Sequence, residues 1–377
     1  MSHTLFPIAF VGVMFLMNSY IYKRFFKRLH FNINTFAFVF LTLLFLTETV
    51  FVVQMLFHPI LESPALFYTL SLSVALTVSL FFVTLLYDLI HTSAQKIPFD
   101  KGRRRFMKIA FDVTMLILAF SYIVKGLIGG IKRPELNHVD VYINNLGFEE
   151  LLVVQLSDVH VGNTIGKEFL EECVARINAL NPDLVVITGD LVDRKIEDAK
   201  EDLEALKGLK SHFGTYFVLG NHEYYHGAKD IADFLPEVGV TPLLNDSVIL
   251  RDDNHAINLV GLNDIQSLRF ETMPIDTYKA FEKVDKILPT ILLSHQPKSI
   301  EMVENRAYDL MLSGHTHGGQ IFPFGFLVML QQPYLYGLHA ISATKQIFVS
   351  RGTGYWGPPV RVLAPSEISV LTLKPKK

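Results

Sequence analysis

Residues 151–160 read LLVVQLSDVH, an apolar run that stops abruptly at Ser157-Asp158-Val159-His160. A short apolar run bounded by polar residues has the pattern of a buried strand handing over to a loop. The same pattern returns four times. Residues 184–190 (LVVITGD) end on Gly189-Asp190, and 216–223 (YFVLGNHE) carry Gly220-Asn221-His222-Glu223. Residues 290–295 (TILLSH) end on Ser294-His295, and 310–317 (LMLSGHTH) on Gly314-His315-Thr316-His317. Five predicted strand ends therefore present carboxylate, amide and imidazole groups, with no sulfur among them.

Working outward, residues 257–262 and 347–349 read as further buried strands. Helical periodicity appears at 167–180, 199–209, 228–234 and 278–286. Asn181-Pro182-Asp183 closes the first of these helices and opens the next strand. Strands interspersed with helices predict a layered α/β domain, two packed sheets flanked by helices.

The strand-end residues have the chemistry of a metal centre. Asp158 and His160, two apart, would point the same way if their strand continued through them. Gly189 and Gly220 leave room beside Asp190 and Asn221, and Asn221 offers a neutral carbonyl oxygen. His295, His315 and His317 add imidazoles from two later strands. Oxygen and imidazole donors suit Mn²⁺, Fe or Zn²⁺ and disfavour Cu(I). Two divalent cations sharing one carboxylate, here assigned to Asp190, sit ~3.5–4 Å apart and hydrolyse phosphate esters. His222 is the expected catalytic histidine, placed to stabilise the transition state or protonate the leaving oxygen. Asp193 and Glu223 read as supporting or capping groups rather than ligands. His138, His212, His226, His255 and His339 match no ligand pattern and read as surface or structural.

Composition bounds the rest. The chain has 377 residues, is 50% hydrophobic and 19% charged, and carries a net charge of −3. That balance gives no electrostatic footprint for nucleic acid. The single cysteine, Cys173, excludes a disulfide framework and a thiolate metal site, and reads as a small buried side chain.

The apolar excess lies before about residue 130. Residues 5–22, 35–57 and 66–90 are long enough to cross a bilayer, which takes ~20 residues. A fourth stretch, 109–130, carries Asp112 and Lys125; it reads either as a span or as an interfacial connector. Lys23, Arg24, Lys27 and Arg28 follow the first stretch, and Lys96 through Lys108 follow the third. Both loops are expected on the cytoplasmic side, with the loop around Glu62 outside. Four spans would put the following domain outside; three would keep it in the cytoplasm. Residues 103–108 (RRRFMK) have the form of a twin-arginine export signal, but their internal position favours a positive-inside anchor. The expected domains are a helical membrane region at 1–130, a linker at 131–150 and a catalytic domain at 151–377.

The order of the five motifs resembles the calcineurin-like metallophosphoesterase superfamily, from about Leu151 to the C-terminus. The resemblance implies a four-layer fold, two β-sheets sandwiched between helices, after the N-terminal transmembrane helices. It also implies two divalent ions, Mn²⁺ foremost. One would be held by Asp158, His160, Asp190 and His317, the other by Asp190, Asn221, His295 and His315, with His222 catalytic. Gly318-Gly319-Gln320, residues 350–354 and residues 357–361 resemble the membrane-anchored or twin-arginine-exported bacterial branch. Several members of that branch are similar in activity to UDP-2,3-diacylglucosamine pyrophosphatase of lipid A synthesis, which releases UMP and 2,3-diacylglucosamine 1-phosphate. The soluble enzymes of that activity have arginine after the motif asparagine, where this chain has His222.

The expected protein is a multi-pass enzyme of the cytoplasmic (inner) membrane. Its expected partners are membrane lipids and an amphipathic phosphate substrate; no protein partner is evident. The alternative is an extracytoplasmic phosphodiesterase or phosphatase acting on an envelope phosphate ester. A metal-binding sensor without chemistry ranks last, because every ligand position holds a competent residue. The apolar run 321–330, directly after the last motif, reads as a surface that dips into the bilayer or holds acyl chains, or else as a buried strand or a face packed on the fourth apolar stretch.

Overall fold

The computed structural model describes residues 5–56, 63–94, 101–252, 255–270 and 272–376. Two compact units emerge: residues 1–131 with Gly357–Val362, and Lys132–Trp356 with Leu363–Lys377. Glu62 and Lys96, which entered the topology reading, lie outside the described residues.

Among the described residues, the first unit holds four α-helices: α1 (Leu5–Arg24), α2 (Asn34–Leu56), α3 (Pro64–Ala94) and α4 (Lys101–Ile131). Its polarity is inverted relative to a soluble bundle. Phe36, Leu43, Leu89, Ile117 and Phe120 face outward, whereas Asn18, Glu48, Thr77 and Asp112 are buried. Apolar side chains outside and hydrogen-bonded polar groups within are what a bilayer demands of a helix bundle. Among the described residues, three helices are long and apolar enough to cross a membrane, over Asn34–Gln54, Pro64–Ser93 and Gly102–Ile131.

The fourth stretch is therefore one continuous helix of spanning length, and Asp112 explains how it tolerates an acid. The carboxylate is fully buried and pairs with Lys108 Nζ at 2.5 Å. It also accepts from Tyr87 Oη at 2.9 Å and from the His30 amide at 2.7 Å. A charge so neutralised costs far less than a bare one.

Among the described residues, the second unit is built from two six-stranded sheets. The first runs in the order β1 (Glu135–Ile143), β12 (Glu367–Pro375), β2 (Leu151–Leu156), β3 (Leu184–Thr188), β4 (Thr215–Val218), β5 (Val240–Pro242). The second runs β10 (Gly337–Ala340), β11 (Gln346–Val349), β9 (Leu310–Ser313), β8 (Thr290–Leu293), β7 (Ala256–Gly261), β6 (Asp246–Arg251). Strands β2, β3 and β4 are mutually parallel, as are β7, β8 and β9. The stretch expected as a linker contains β1, which pairs in parallel with β12.

Strand alternation makes the layers. Leu184 and Val186 of β3 pack with Ile291 and Leu293 of β8 and Leu310 and Leu312 of β9, forming the core between the sheets. Val185 and Ile187 turn the other way, onto α5 (Lys167–Asn178), α6 (Ile196–Leu203) and α7 (Ala228–Phe234). Leu292 and Met311 project to the opposite outer face. Near-continuous apolar strands are the consequence of a sheet covered on both sides. The four-layer sandwich implied by the motif order is the observed one.

Residues 321–330 do not form a strand. They make a turn and a short helix at Gly325–Val328, with most of their apolar side chains exposed.

Candidate metal centre

All eight residues expected at the site gather where β2, β3, β4, β8 and β9 end, the edge at which open α/β sheets present ligands. The i, i+2 expectation for Asp158 and His160 needs correcting, because β2 stops at Leu156. Asp158 and His160 have φ of 52° and 56°, Asp190 51°, His315 71° and His317 50°. Five of the eight thus sit in the left-handed region, where Asp and His are enriched among non-glycine residues and where functional sites store strain. Left-handed kinks, not strand alternation, aim these side chains inward. Gly220 is required by close approach, since a Cβ there would collide with Asp190 Oδ1.

Two neighbouring clusters result. In the first, His160 Nε2 lies 3.0 Å from His317 Nε2 and 4.0 Å from Asp190 Oδ2, while His317 Nε2 is 3.4 Å from Asp158 Oδ1. In the second, His295 Nε2 lies 3.1 Å from Asp190 Oδ2, 3.1 Å from Asn221 Oδ1 and 3.2 Å from His315 Nδ1. Asp190 Oδ2 faces both clusters, which suits a shared carboxylate.

The donor set fits divalent cations. Thr188 O can only accept, so the 2.8 Å contact from His295 puts the proton on Nδ1. His295 Nε2 then faces a carboxylate oxygen, an amide oxygen and another imidazole nitrogen. Asp193 Oδ1, 2.7 Å from His160 Nδ1, sets the same tautomer in the first cluster. Converging acceptors need a shared positive charge, and oxygen and imidazole donors without sulfur suit Mn²⁺, Fe or Zn²⁺. Among the described residues, Asp158-His160-His317 and Asp190-His295-His315 are each close enough to hold one ion.

A supporting shell holds these groups. Ser157 Oγ donates to Asp158 Oδ2 at 2.5 Å, and the His315 amide donates to both Asp158 oxygens. The Thr353 and Gly354 amides bind the Ser157 and Asp158 carbonyls at 2.7 and 3.0 Å, so residues after β11 brace the first loop. Glu223 is fully buried and accepts from the amides of Asp190, Leu191, Val192 and Gly220. It fastens the β3 loop to the β4 loop.

Charge is divided unevenly across the site. Burial opposes ionisation of Asp190, but His295, His222 and His160 outweigh it and hold the carboxyl well below its usual range. Asp158 has burial dominant and is raised. Burial works against a charge on His222, yet Asp193 and Asp190 push its imidazole up to about 9. Burial, with His295 beside it, drops His315 to about 3. Glu223 rises to about 7 through burial and then Asp190.

His222 sits on the rim: its Nδ1 is 2.7 Å from Asp193 Oδ1 and its Nε2 3.9 Å from Asp190 Oδ2. Its ring centroid lies 4.7 Å from His160 and 6.0 Å from Trp356. Asp193 therefore serves two histidines at once.

Asp264, at the end of β7, was not picked out from the sequence. It is fully buried, and its Oδ1 accepts from Gln296 Nε2 at 2.8 Å, beside His295. Its position after the apolar run 257–262 was the available signal. His226, read as structural, has its ring 6.4 Å from that of His222. His255 and His339 pack on Phe148 and Tyr334, respectively.

The calcineurin-like phosphoesterase family profile matches residues 151–319. A metallophosphoesterase of Helicobacter pylori, described as uncharacterized, is 40% identical over 376 residues, 99% of each chain. One from Campylobacter jejuni, similarly described, is 36% identical over the whole of both chains. A bovine transmembrane protein with a metallophosphoesterase domain is 36% identical over 290 residues, covering 73% of this chain and 64% of that one.

Proposed function

This chain belongs to the calcineurin-like phosphoesterase family, and on that premise we propose that it is a membrane-held hydrolase cleaving the diphosphate of UDP-2,3-diacylglucosamine. Metal-dependent phosphoester hydrolysis follows from the family itself. The observation that carries the reading is the pair of clusters sharing Asp190 Oδ2.

Asp158, His160, Asp190 and His317 would hold one cation, and Asp190, Asn221, His295 and His315 the other. When bound, the pair lowers the pKa of a water and clamps phosphate oxygens. The protein's own groups do the rest. Glu223 and Ser157 keep the carboxylates oriented, and Asp193 orients His160 and His222. His222, held protonated by Asp193, is placed to donate to the leaving oxygen.

Membrane residence is supported by the three apolar helices and by the bovine relative's description. A lipid-linked substrate gives a reason for such an anchor. The test is detergent-solubilised protein incubated with UDP-2,3-diacylglucosamine and Mn²⁺. UMP release, lost in Asp190→Ala, supports the reading, and an intact substrate overturns it.

One observation favours a second reading. With α4 of spanning length, a cytoplasmic position for both Lys23–Arg28 and Arg103–Lys108 would put residues after Ile131 outside. The substrate would then be an envelope phosphate ester rather than a nucleotide. A topology reporter fused after Lys377 separates the two, since cytoplasmic activity excludes the second.

A further inference from the structure

The fold leaves an apolar surface next to the rim histidine. Ile321 is buried and anchors the segment, but Phe322, Phe324, Phe326, Leu327, Met329 and Leu330 are 44% to 79% exposed. Residues 321–330 contain no charged or hydrogen-bonding side chain. Gln320, three residues after His317, joins this lip to Trp356: its Nε2 donates to Trp356 O at 2.9 Å, and the Trp356 amide donates back to Oε1 at 3.1 Å. Trp356 is itself 47% exposed and lies 6.0 Å, ring to ring, from His222. The apolar surface and the reacting end of the site are thus one continuous rim.

A contiguous apolar surface of this kind marks a place where something apolar docks. What it meets is set by the chain's own construction. The last of the three helices of bilayer length, α4, is separated from β1 by only Lys132, Arg133 and Pro134. The residue after Trp356 begins the Gly357–Val362 strap, which belongs to the helical unit and bonds to α4 through the Arg361 amide and Gly126 O at 2.9 Å. Trp, Phe, Leu and Met together are the residue types that seat in a membrane interface.

We propose that residues 321–330, with Trp356, form a lip that dips into the acyl layer of the bilayer, so that the metal centre takes its phosphate ester from the membrane surface. This deepens the function proposed above and rests on it only for the identity of the reaction.

Trp356 is the single tryptophan of the chain and reports directly on the lip. The full-length protein is reconstituted in phosphatidylcholine vesicles, with and without lipids brominated on the acyl chain. Tryptophan emission should fall at least about twofold with brominated lipid, and much less in Phe324→Ser/Phe326→Ser/Leu330→Ser, because removing apolar area weakens interfacial insertion. In the same preparations, turnover of a vesicle-borne lipid phosphate ester should fall about tenfold in the variant, with a soluble aryl phosphodiester unchanged.

No quenching in the wild type, or equal quenching in wild type and variant, overturns the lip. So does a dimer that the variant dissociates, since the surface would then hold a second copy. Equal losses on both substrates overturn the link from lip to substrate. Quenching that responds to the variant in a protein inactive on every phosphoester would instead refute the enzymatic reading and leave the lip standing.

Discussion

His295 Nδ1 lies 2.8 Å from the carbonyl oxygen of Thr188, one hydrogen bond that crosses from the end of β8 in one sheet to the end of β3 in the other. It fixes the tautomer and turns Nε2 toward Asp190 and Asn221. Replacing His295 by alanine should reduce bound metal from two ions to one, read by elemental analysis. Activity should fall at least about 100-fold, since even outer partners of metal ligands are worth 10–100-fold. Retention of two ions would show that the imidazole is no ligand.

Asp193 Oδ1 stands 2.7 Å from the Nδ1 atoms of both His160 and His222. Asp193→Asn should weaken Mn²⁺ binding roughly 10–100-fold, as loss of an orienting carboxylate does elsewhere. It should also lower turnover at saturating metal, because His222 loses the group that keeps it protonated. A Mn²⁺ titration of activity separates the two effects. An unchanged half-saturation and maximal rate would exclude the shared role.

Glu223→Gln keeps size but turns an amide against some of the four backbone donors the carboxylate now accepts. Unsatisfied buried donors should cost about 2–3 kcal/mol. For a unit of this size that is a Tm lower by roughly 4–12 °C, measurable by thermal denaturation. A Tm within about a degree of wild type would show that the loops hold without it.

Burial pushes the Cys173 thiol up to about 12. The folded pKa exceeds the ordinary value of ~8.5, so its contribution to stability is complete below that pH and lost as pH rises toward the folded value. Stability should therefore decline above about pH 8.5, and Cys173→Ala should flatten that decline. Iodoacetamide at pH 8 should label denatured but not native protein. Fast native labelling would place the thiol in solvent.

Chelation gives the simplest check. Dialysis against EDTA should abolish phosphodiester hydrolysis, and Mn²⁺, Fe²⁺ or Zn²⁺ should restore it, the most effective identifying the preferred ion. Hydrolysis that survives complete removal of metal would exclude the dimetal reading.

Much of the site was legible because each motif closes an apolar strand core. Residues 151–156 and 290–293 coincide with β2 and β8, and 184–187, 216–219 and 310–312 fall within a residue of β3, β4 and β9. Buried parallel strands announce themselves by continuous apolar runs. Among the described residues, β1, β5, β6, β10 and β12 escaped notice, and three of these depend on their partners. β1 is half-exposed and carries Glu135, His138 and Asp140, and it exists because β12 offers it a parallel ladder 232 residues away in sequence, Glu135 opposite Glu367. β5 and β10 are edge strands of three and four residues, too short for a period to register.

By itself, the order of residues determined the chemistry on offer: carboxylate, amide and imidazole at five strand ends, after helices apolar enough for a bilayer. Local composition suffices for that, since strand burial and helix length are read within a few residues of each other. Tertiary structure alone decided how those groups face one another. It set the left-handed kinks at Asp158, His160, Asp190, His315 and His317, gave Asp193 two histidines, and left residues 321–330 as an exposed lip instead of a strand. Each of these depends on contacts between segments far apart in the chain, and such contacts exist only once both sheets have closed around their common core.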